Sequence, residues 1–180
     1  MANDDTVILL LPWTSDPSRI AELIKKYGSE SPEIVLVGYS YGGQTAINTA
    51  AELGNLGLWV DKLALVDPVF RSRYWFMRWR SLLPNEFPDR YTVTKLDCIR
   101  LMVEQAAYYL GQLTMTTPTL ELPTRVGECK VFHQKISVPM GHKVEKVGVQ
   151  TKLITELVHS KHEDIHGMAS VHKGLIEFVT

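Results

Sequence analysis

Two cysteines are all this chain of 180 residues has, Cys98 and Cys129, and no C-x-x-C pair exists. That spacing argues against a disulfide framework and against a thiolate metal site, and reads as two separate buried thiols. An excess of charge is missing too. A net charge of -1 with 22% charged residues implies no general pull toward nucleic acid or an acidic membrane. The opening MANDDTVILLLPW has no basic stretch ahead of its apolar run, and that run is too short to span a bilayer. Repeats and low-complexity tracts are absent. These shortages point to a cytoplasmic, reducing setting and away from nucleic-acid binding or membrane contact as a main role. What is there, 45% hydrophobic over 180 residues, suffices for one domain with a sizeable core.

Short apolar runs alternate with helical periodicity in the first third of the chain. Val7 to Leu11 reads as a strand buried on both faces and ended by Pro12. Asp16-Pro17 has the form of an N-cap followed by proline at the first helical position, and Ile20, Leu23, Ile24 and Tyr27 continue at helical spacing toward a stop at Gly28. Ile34 to Val37 is a second buried strand. Ala46, Ile47, Ala50 and Leu53 mark a helix, and Leu63 to Val66 a third strand before Asp67-Pro68. Further on, Lys130 to His133 and Lys152 to Val158 suggest two more strands. Val171, Leu175, Ile176, Phe178 and Val179 suggest a closing helix. The expected fold class is therefore α/β, a mostly parallel central sheet of about five strands with helices on both faces. Residues 94–112 look helical, and residues 71–124 read as a lid-like insertion within a single domain spanning 1–180.

The stretch IVLVGYSYGGQTAI, residues 34–47, carries the chemistry. Gly38-Tyr39-Ser40-Tyr41-Gly42 fits G-x-S-x-G between a predicted strand and a predicted helix, the context in which this pattern holds a serine up as a nucleophile. A serine hydroxyl needs a base, a group that orients that base, and donors for the oxyanion. The backbone N–H of Tyr41, at the start of the new helix, is one candidate oxyanion donor. The loop after the first strand, at Trp13 or Thr14, is expected to supply the other. The structural alternative is a glycine-rich turn. GYSYGG lacks the Lys-Ser/Thr ending of a phosphate loop, so nucleotide binding is not expected.

With VILLLPW, VGYSYGG, LALVDPVF and KHEDIHGMASVHKGLIEFV in that order, the chain resembles the α/β-hydrolase superfamily of serine hydrolases, lipase- or esterase-like in a trimmed form. The resemblance implies the chain order nucleophile, acid, histidine. All six histidines fall between 133 and 172. His162 is the implied base, since Ile165 follows at +3 and Val171 at +9 as in family members. His166 and His159 come after it in preference. Family members that place the acid after the next-to-last strand find no aspartate here, only Glu145. The pancreatic-type lipases place it one strand earlier in a motif that LALVDPVF resembles, which implies Asp67. Glu145, Glu163 and Asp164 stay open as alternatives. LPTRVGECKVFHQKISVPMGHKV also resembles a stretch of small bacterial and phage lipase-like hydrolases, where a strand ending in an aromatic and Gln leads into a Pro/Gly loop.

His159, His162 and His166, with Glu163 and Asp164 between them, have a spacing that would suit a metal on a helix. Apolar periodicity does not support a helix there and no C-x-x-C partner exists, so no metal is expected, and the serine chemistry needs no organic cofactor. The cluster FRSRYWFMRWRSLLP reads as a lid offering an apolar wall, with Tyr39, Trp75 and Phe76 as candidate substrate contacts. Its alternative is a cap on the sheet edge with its arginines in water. The expectation is hydrolysis of a carboxylic ester or thioester, a small-molecule acyl substrate, through an acyl-enzyme on Ser40, His162 and Asp67. The alternatives are an acyltransferase or amidase on the same residues, or a catalytically silent binding protein with this fold.

Overall fold

Strict alternation along one strand explains how the layers form. The computed structural model describes residues 6–27, 33–69, 119–137 and 141–180. Within it, Ile34 and Leu36 of strand β2 (Glu33–Tyr39) pack into the core cluster that contains Ala21, Ile24, Ala46 and Leu53. Val35 and Val37 point the other way, against Leu175, Phe178 and Val179. A period of two thus faces each β2 side chain to one of two helical layers, and both layers are apolar. The first layer is α1 (Pro17–Tyr27) and α2 (Tyr41–Asn55). The second is α4 (Ala169–Val179), preceded by a single turn, α3 (His162–Ile165).

The sheet joins β1 (Thr6–Leu11), β2, β3 (Val60–Val66), β5 (Val126–His133) and β7 (Lys152–Leu157) in the spatial order β1-β2-β3-β5-β7, every neighbouring pair parallel. This is the expected α/β class with five parallel strands and helices on both faces. Parallel pairing gathers the carboxyl ends of all five strands at one edge, and ligand sites in open α/β sheets form there. Asp16 caps α1 as its sequence position suggests, its Oδ1 accepting from the N–H of Ser18 at 3.0 Å. No helix among the described residues is long and apolar enough to cross a membrane.

Three local expectations change. Strand β1 is not buried on both faces. Leu11 is buried and Leu9 packs on the core, but Ile8 is 46% and Leu10 76% exposed. The physical reason is position. β1 is an edge strand of the described sheet, and α4 packs against Val35, Val37 and Ala64 of the inner strands β2 and β3. Second, β5 begins at Val126, four residues before the expected Lys130. Third, a small parallel sheet of β4 (Leu120–Leu122) and β6 (Val144–Lys146) adds Leu120, Leu122 and Val144 to the main core. Strands of three residues are too short to show a period.

The chain divides into two compact units, residues 1–70 with 118–180 and residues 71–117. The second unit lies outside the described residues, as do the 94–112 helix, Cys98, Trp75, Phe76 and most of the expected 71–124 insertion. Gly28 also lies outside them. Cys129 is free and buried, and burial pushes its thiol up to about 12, so it stays protonated.

Leu65, with no exposed surface, and Leu10 test this layering. Leu65→Ala is expected to cost about 2–5 kcal/mol in urea denaturation. Leu10→Ala is expected to stay within about 0.5 kcal/mol of the parent.

Candidate active site

Ser40 sits in the one-residue gap between β2 and α2 with φ 54° and ψ -123°, a conformation few residues with a Cβ adopt. Such strain persists only where the surroundings enforce it. Here the Ser40 N–H donates to the Val66 carbonyl at 3.0 Å, and the Ser40 carbonyl accepts from Val69 at 2.9 Å and Gly43 at 3.0 Å. The end of β3 therefore clamps the turn after β2. The turn is also too tight for side chains at its flanks. A Cβ on Gly38 would strike the Gly42 backbone, and one on Gly42 would strike the Leu11 carbonyl oxygen. That second contact puts the loop after β1 against the start of α2.

Asp67, one residue past β3, also has positive φ, at 42°. Its N–H donates to the Phe132 carbonyl at 2.7 Å, and the side chain has no exposed surface. Both carboxylate oxygens are fully engaged. Oδ1 accepts from the backbone N–H of Gln134 at 3.2 Å and of Gly141 at 3.0 Å. Oδ2 accepts from Gln134 Nε2 at 3.0 Å and meets His162 Nδ1 at 2.6 Å. Burial pushes this carboxyl up, but the contacts with His133, His162 and Gln134 outweigh burial and hold it down at about 2. His133 Nδ1 lies 3.8 Å from Oδ1, beyond hydrogen-bond range, so His162 and Gln134 carry most of the lowering. Gly141 has to be glycine because a Cβ there would overlap Asp67 Oδ1.

His162 opens α3 and is almost fully buried. Its backbone N–H donates to Ser137 Oγ at 2.8 Å, and its carbonyl accepts from the Tyr39 hydroxyl at 2.7 Å. Ile165 and Val171 are fully buried beside Val66 and Phe132, and so anchor the segment that carries the ring. Nε2 lies 2.9 Å from Ser40 Oγ. An ionised carboxylate only accepts, so the proton between Asp67 and His162 belongs to Nδ1. Nε2 is then free to accept from the serine hydroxyl.

The structure brings Ser40, His162 and Asp67 together in one hydrogen-bonded line. His159 and His166 are exposed, and His166 tilts against the Tyr39 ring with centroids 4.9 Å apart. Glu145, Glu163 and Asp164 are exposed as well. The expected loop at 159–166 contains the helical turn α3, too short to register as periodicity, and no metal-binding group of His, Cys, Asp or Glu occurs among the described residues. Tyr41 is the first residue of α2. Trp13, 65% exposed, lies in a turn closed by the Ser15 N–H on the Pro12 carbonyl at 3.1 Å. An apolar cleft of about 290 Å³ lies beside the strand ends, walled by Leu10, Val37, Val66 and Leu175 with Tyr39 and His166. Tyr39 is common to this cleft and to the His162 packing.

Residues without a role in the sequence reading prove central to the geometry. Gln134 donates to both oxygens of Asp67, and its Oε1 accepts from the N–H groups of Ile136 at 2.8 Å and Ser137 at 2.9 Å. Ser137 then holds His162. The motif of an aromatic and Gln at a strand end, followed by a Pro/Gly loop, was the available signal, with Gly141 in that same loop.

No protein-family model matches the chain, and no curated protein sequence matches it. Among solved structures, the thioesterase domain SrfTE, described for the cyclization of the lipopeptide antibiotic surfactin, is similar with a TM-score of 0.47 at 16% identity. That alignment covers 91% of this chain and 74% of that chain. RedJ-thioesterase, from the prodiginine biosynthetic pathway in Streptomyces coelicolor, gives 0.49 at 13% identity over 91% of this chain and 65% of that chain. The NocB thioesterase domain, in a covalent complex with a fluorophosphonate nocardicin G analog, gives 0.48 at 17% identity over 91% and 72%.

Two buried groups make the region around Asp67 acid-labile. His142 is buried, and its backbone N–H donates to the Pro68 carbonyl at 2.7 Å. Burial, with His133 adding to it, lowers its ring to about 4 from 6.5 against the opposing pull of Asp67. The unfolded chain then takes a proton that the fold rejects. Stability present above pH 6.5 is lost as pH falls toward 4, on the order of 3 kcal/mol. The depressed Asp67 stabilises the fold above its ordinary 3.8, and this is lost as pH falls from there to about 2, on the order of 2 kcal/mol. Denaturant midpoints measured from pH 7 to pH 2 are expected to fall in these two windows. His142→Gln is expected to flatten the upper step alone.

Proposed function

We propose that this chain is a serine hydrolase that cleaves a carboxylic ester or thioester through an acyl-enzyme, with Ser40 as nucleophile, His162 as general base and Asp67 as the group that orients it. The observation that carries this reading is the unbroken line from Ser40 Oγ through the two ring nitrogens of His162 to Asp67 Oδ2, at 2.9 Å and 2.6 Å. A general base must lie within hydrogen-bond reach of the proton it takes, and the base must be held in one tautomer.

In this mechanism Ser40 Oγ attacks the substrate carbonyl carbon as its proton passes to His162 Nε2. The imidazolium that forms stays bonded to ionised Asp67, whose low proton affinity keeps its charge in place. The backbone N–H of Tyr41 at the head of α2, with a donor from the loop at Trp13, meets the oxyanion. Collapse of the tetrahedral intermediate breaks the bond to the leaving oxygen or sulfur, which takes the proton from Nε2. Water then repeats the sequence on the acyl-Ser40 ester, releasing the acid and restoring the serine hydroxyl. The strained backbone at Ser40 supports the same reading, because positive φ at a residue with a Cβ is stored at functional turns.

A fluorophosphonate probe is expected to label the wild-type protein and not Ser40→Ala. Failure of well-folded wild type to label would favour a silent binding protein instead. On a short p-nitrophenyl ester, His162→Ala is expected to lower kcat by about 10⁶-fold and Asp67→Ala by about 10⁴-fold. His166→Ala is expected to retain turnover. Comparing matched ester and thioester substrates then decides which bond the site prefers.

A further inference from the structure

His162 rides on a single helical turn whose own N-cap residue, Lys161, makes no side-chain cap bond. A helix this short cannot hold itself. Besides the ring's bond to Asp67, three contacts hold it to the rest of the fold: buried Ile165 beneath it, Ser137 Oγ at the His162 N–H, and the Tyr39 hydroxyl at the His162 carbonyl. Tyr39 adds a second interaction of its own. Its ring stacks on the imidazole with centroids 5.4 Å apart and planes 25° from parallel.

We propose that Tyr39 is the positioning residue of the base, its hydroxyl fixing the first residue of α3 and its ring supporting the imidazole. This rests on the serine hydrolase reading. Tyr39 is the last residue of β2, in register with Val66 of β3, and is bonded through one peptide to Ser40. The residue that holds the base is therefore covalently fixed to the nucleophile, and the distance between Ser40 Oγ and Nε2 is set from one rigid strand end. The ring does more than fill space. The face of a tyrosine attracts a cation, and the imidazole becomes cationic only as the serine proton arrives. Support of that kind is stronger in the transition state than in the ground state, so it acts on kcat. Burial first, then the nearby Asp67, Glu163 and Asp164 carboxylates, push the Tyr39 phenol above its ordinary value of 10, so it remains a donor at neutral pH.

Tyr39→Phe keeps the ring and removes the hydroxyl, and Tyr39→Leu removes both. On a p-nitrophenyl ester, kcat is expected to fall roughly 10-fold in Tyr39→Phe, one hydrogen bond's worth. It is expected to fall roughly 100-fold in Tyr39→Leu. KM is expected to stay within about 2-fold in Tyr39→Phe, which keeps the ring that walls the cleft. A second readout needs no turnover. In the Ser40→Ala background, the downfield proton resonance of the His162 Nδ1–H on Asp67 is expected to be sharp with Tyr39 or Phe at this position and broadened by exchange with Leu. Equal kcat in all three proteins, or a loss confined to KM, overturns the proposal, the latter making Tyr39 a substrate contact instead. A sharp resonance in Tyr39→Leu also overturns it. If Tyr39→Leu does not fold, unchanged kcat in Tyr39→Phe is sufficient to reject the hydroxyl clamp. If wild type neither labels nor turns over ester, the hydrolase reading fails, while the resonance still judges whether Tyr39 holds the ring.

Discussion

The carboxylate of Asp67 is the point on which the rest of the site is built. It is buried and charged, a costly combination unless its lone pairs are met. Two backbone N–H groups, one side-chain amide and one imidazole meet them. These partners come from three stretches of chain, at Gln134, Gly141 and His162, so satisfying one charge fixes the end of β3, the segment after β5, the loop at Gly141 and the start of α3 relative to one another. Removing any one donor leaves part of that charge unmet, which is why these segments have little freedom to shift separately.

Two residues with a Cβ accept positive φ at the same edge of the sheet, Ser40 and Asp67. Each distortion costs on the order of 1–3 kcal/mol and needs enforcement from outside. They enforce each other through the chain between Val66 and Val69, which bonds to both the N–H and the carbonyl of Ser40. Behind them, parallel strands packed on both faces supply a rigid base. A pre-set geometry of this kind lowers a barrier because no reorganisation is needed when charge develops.

Tyr39 adds a second tie between this frame and α3, whose first residue already bonds Asp67. The turn α3 has a buried anchor in Ile165 but few contacts of its own, and its first residue is gripped from both sides of the backbone by Ser137 and Tyr39. The apolar cleft beside Tyr39 exists because α4 covers β2 and β3 and leaves the outward residues of β1 uncovered. The same edge position accounts for the exposure of Leu10.

Local sequence already determined the parallel α/β layering, the sharp turn at Ser40 and the capped start of α1, because each follows from patterns within a few residues of one another. Continuous apolar runs, a helical period and glycines around a serine need no distant partner to be read. The pairing of Asp67 with His162 came from chain order in a resembling family, not from the residues alone. Gln134, Ser137, Gly141 and the second face of Tyr39 were decided only by the tertiary structure. Their importance comes from touching groups 25 to 123 positions away. Contacts at such separations leave no periodic trace in a sequence, and neither does the exposure of an apolar strand that happens to lie at the edge of its sheet.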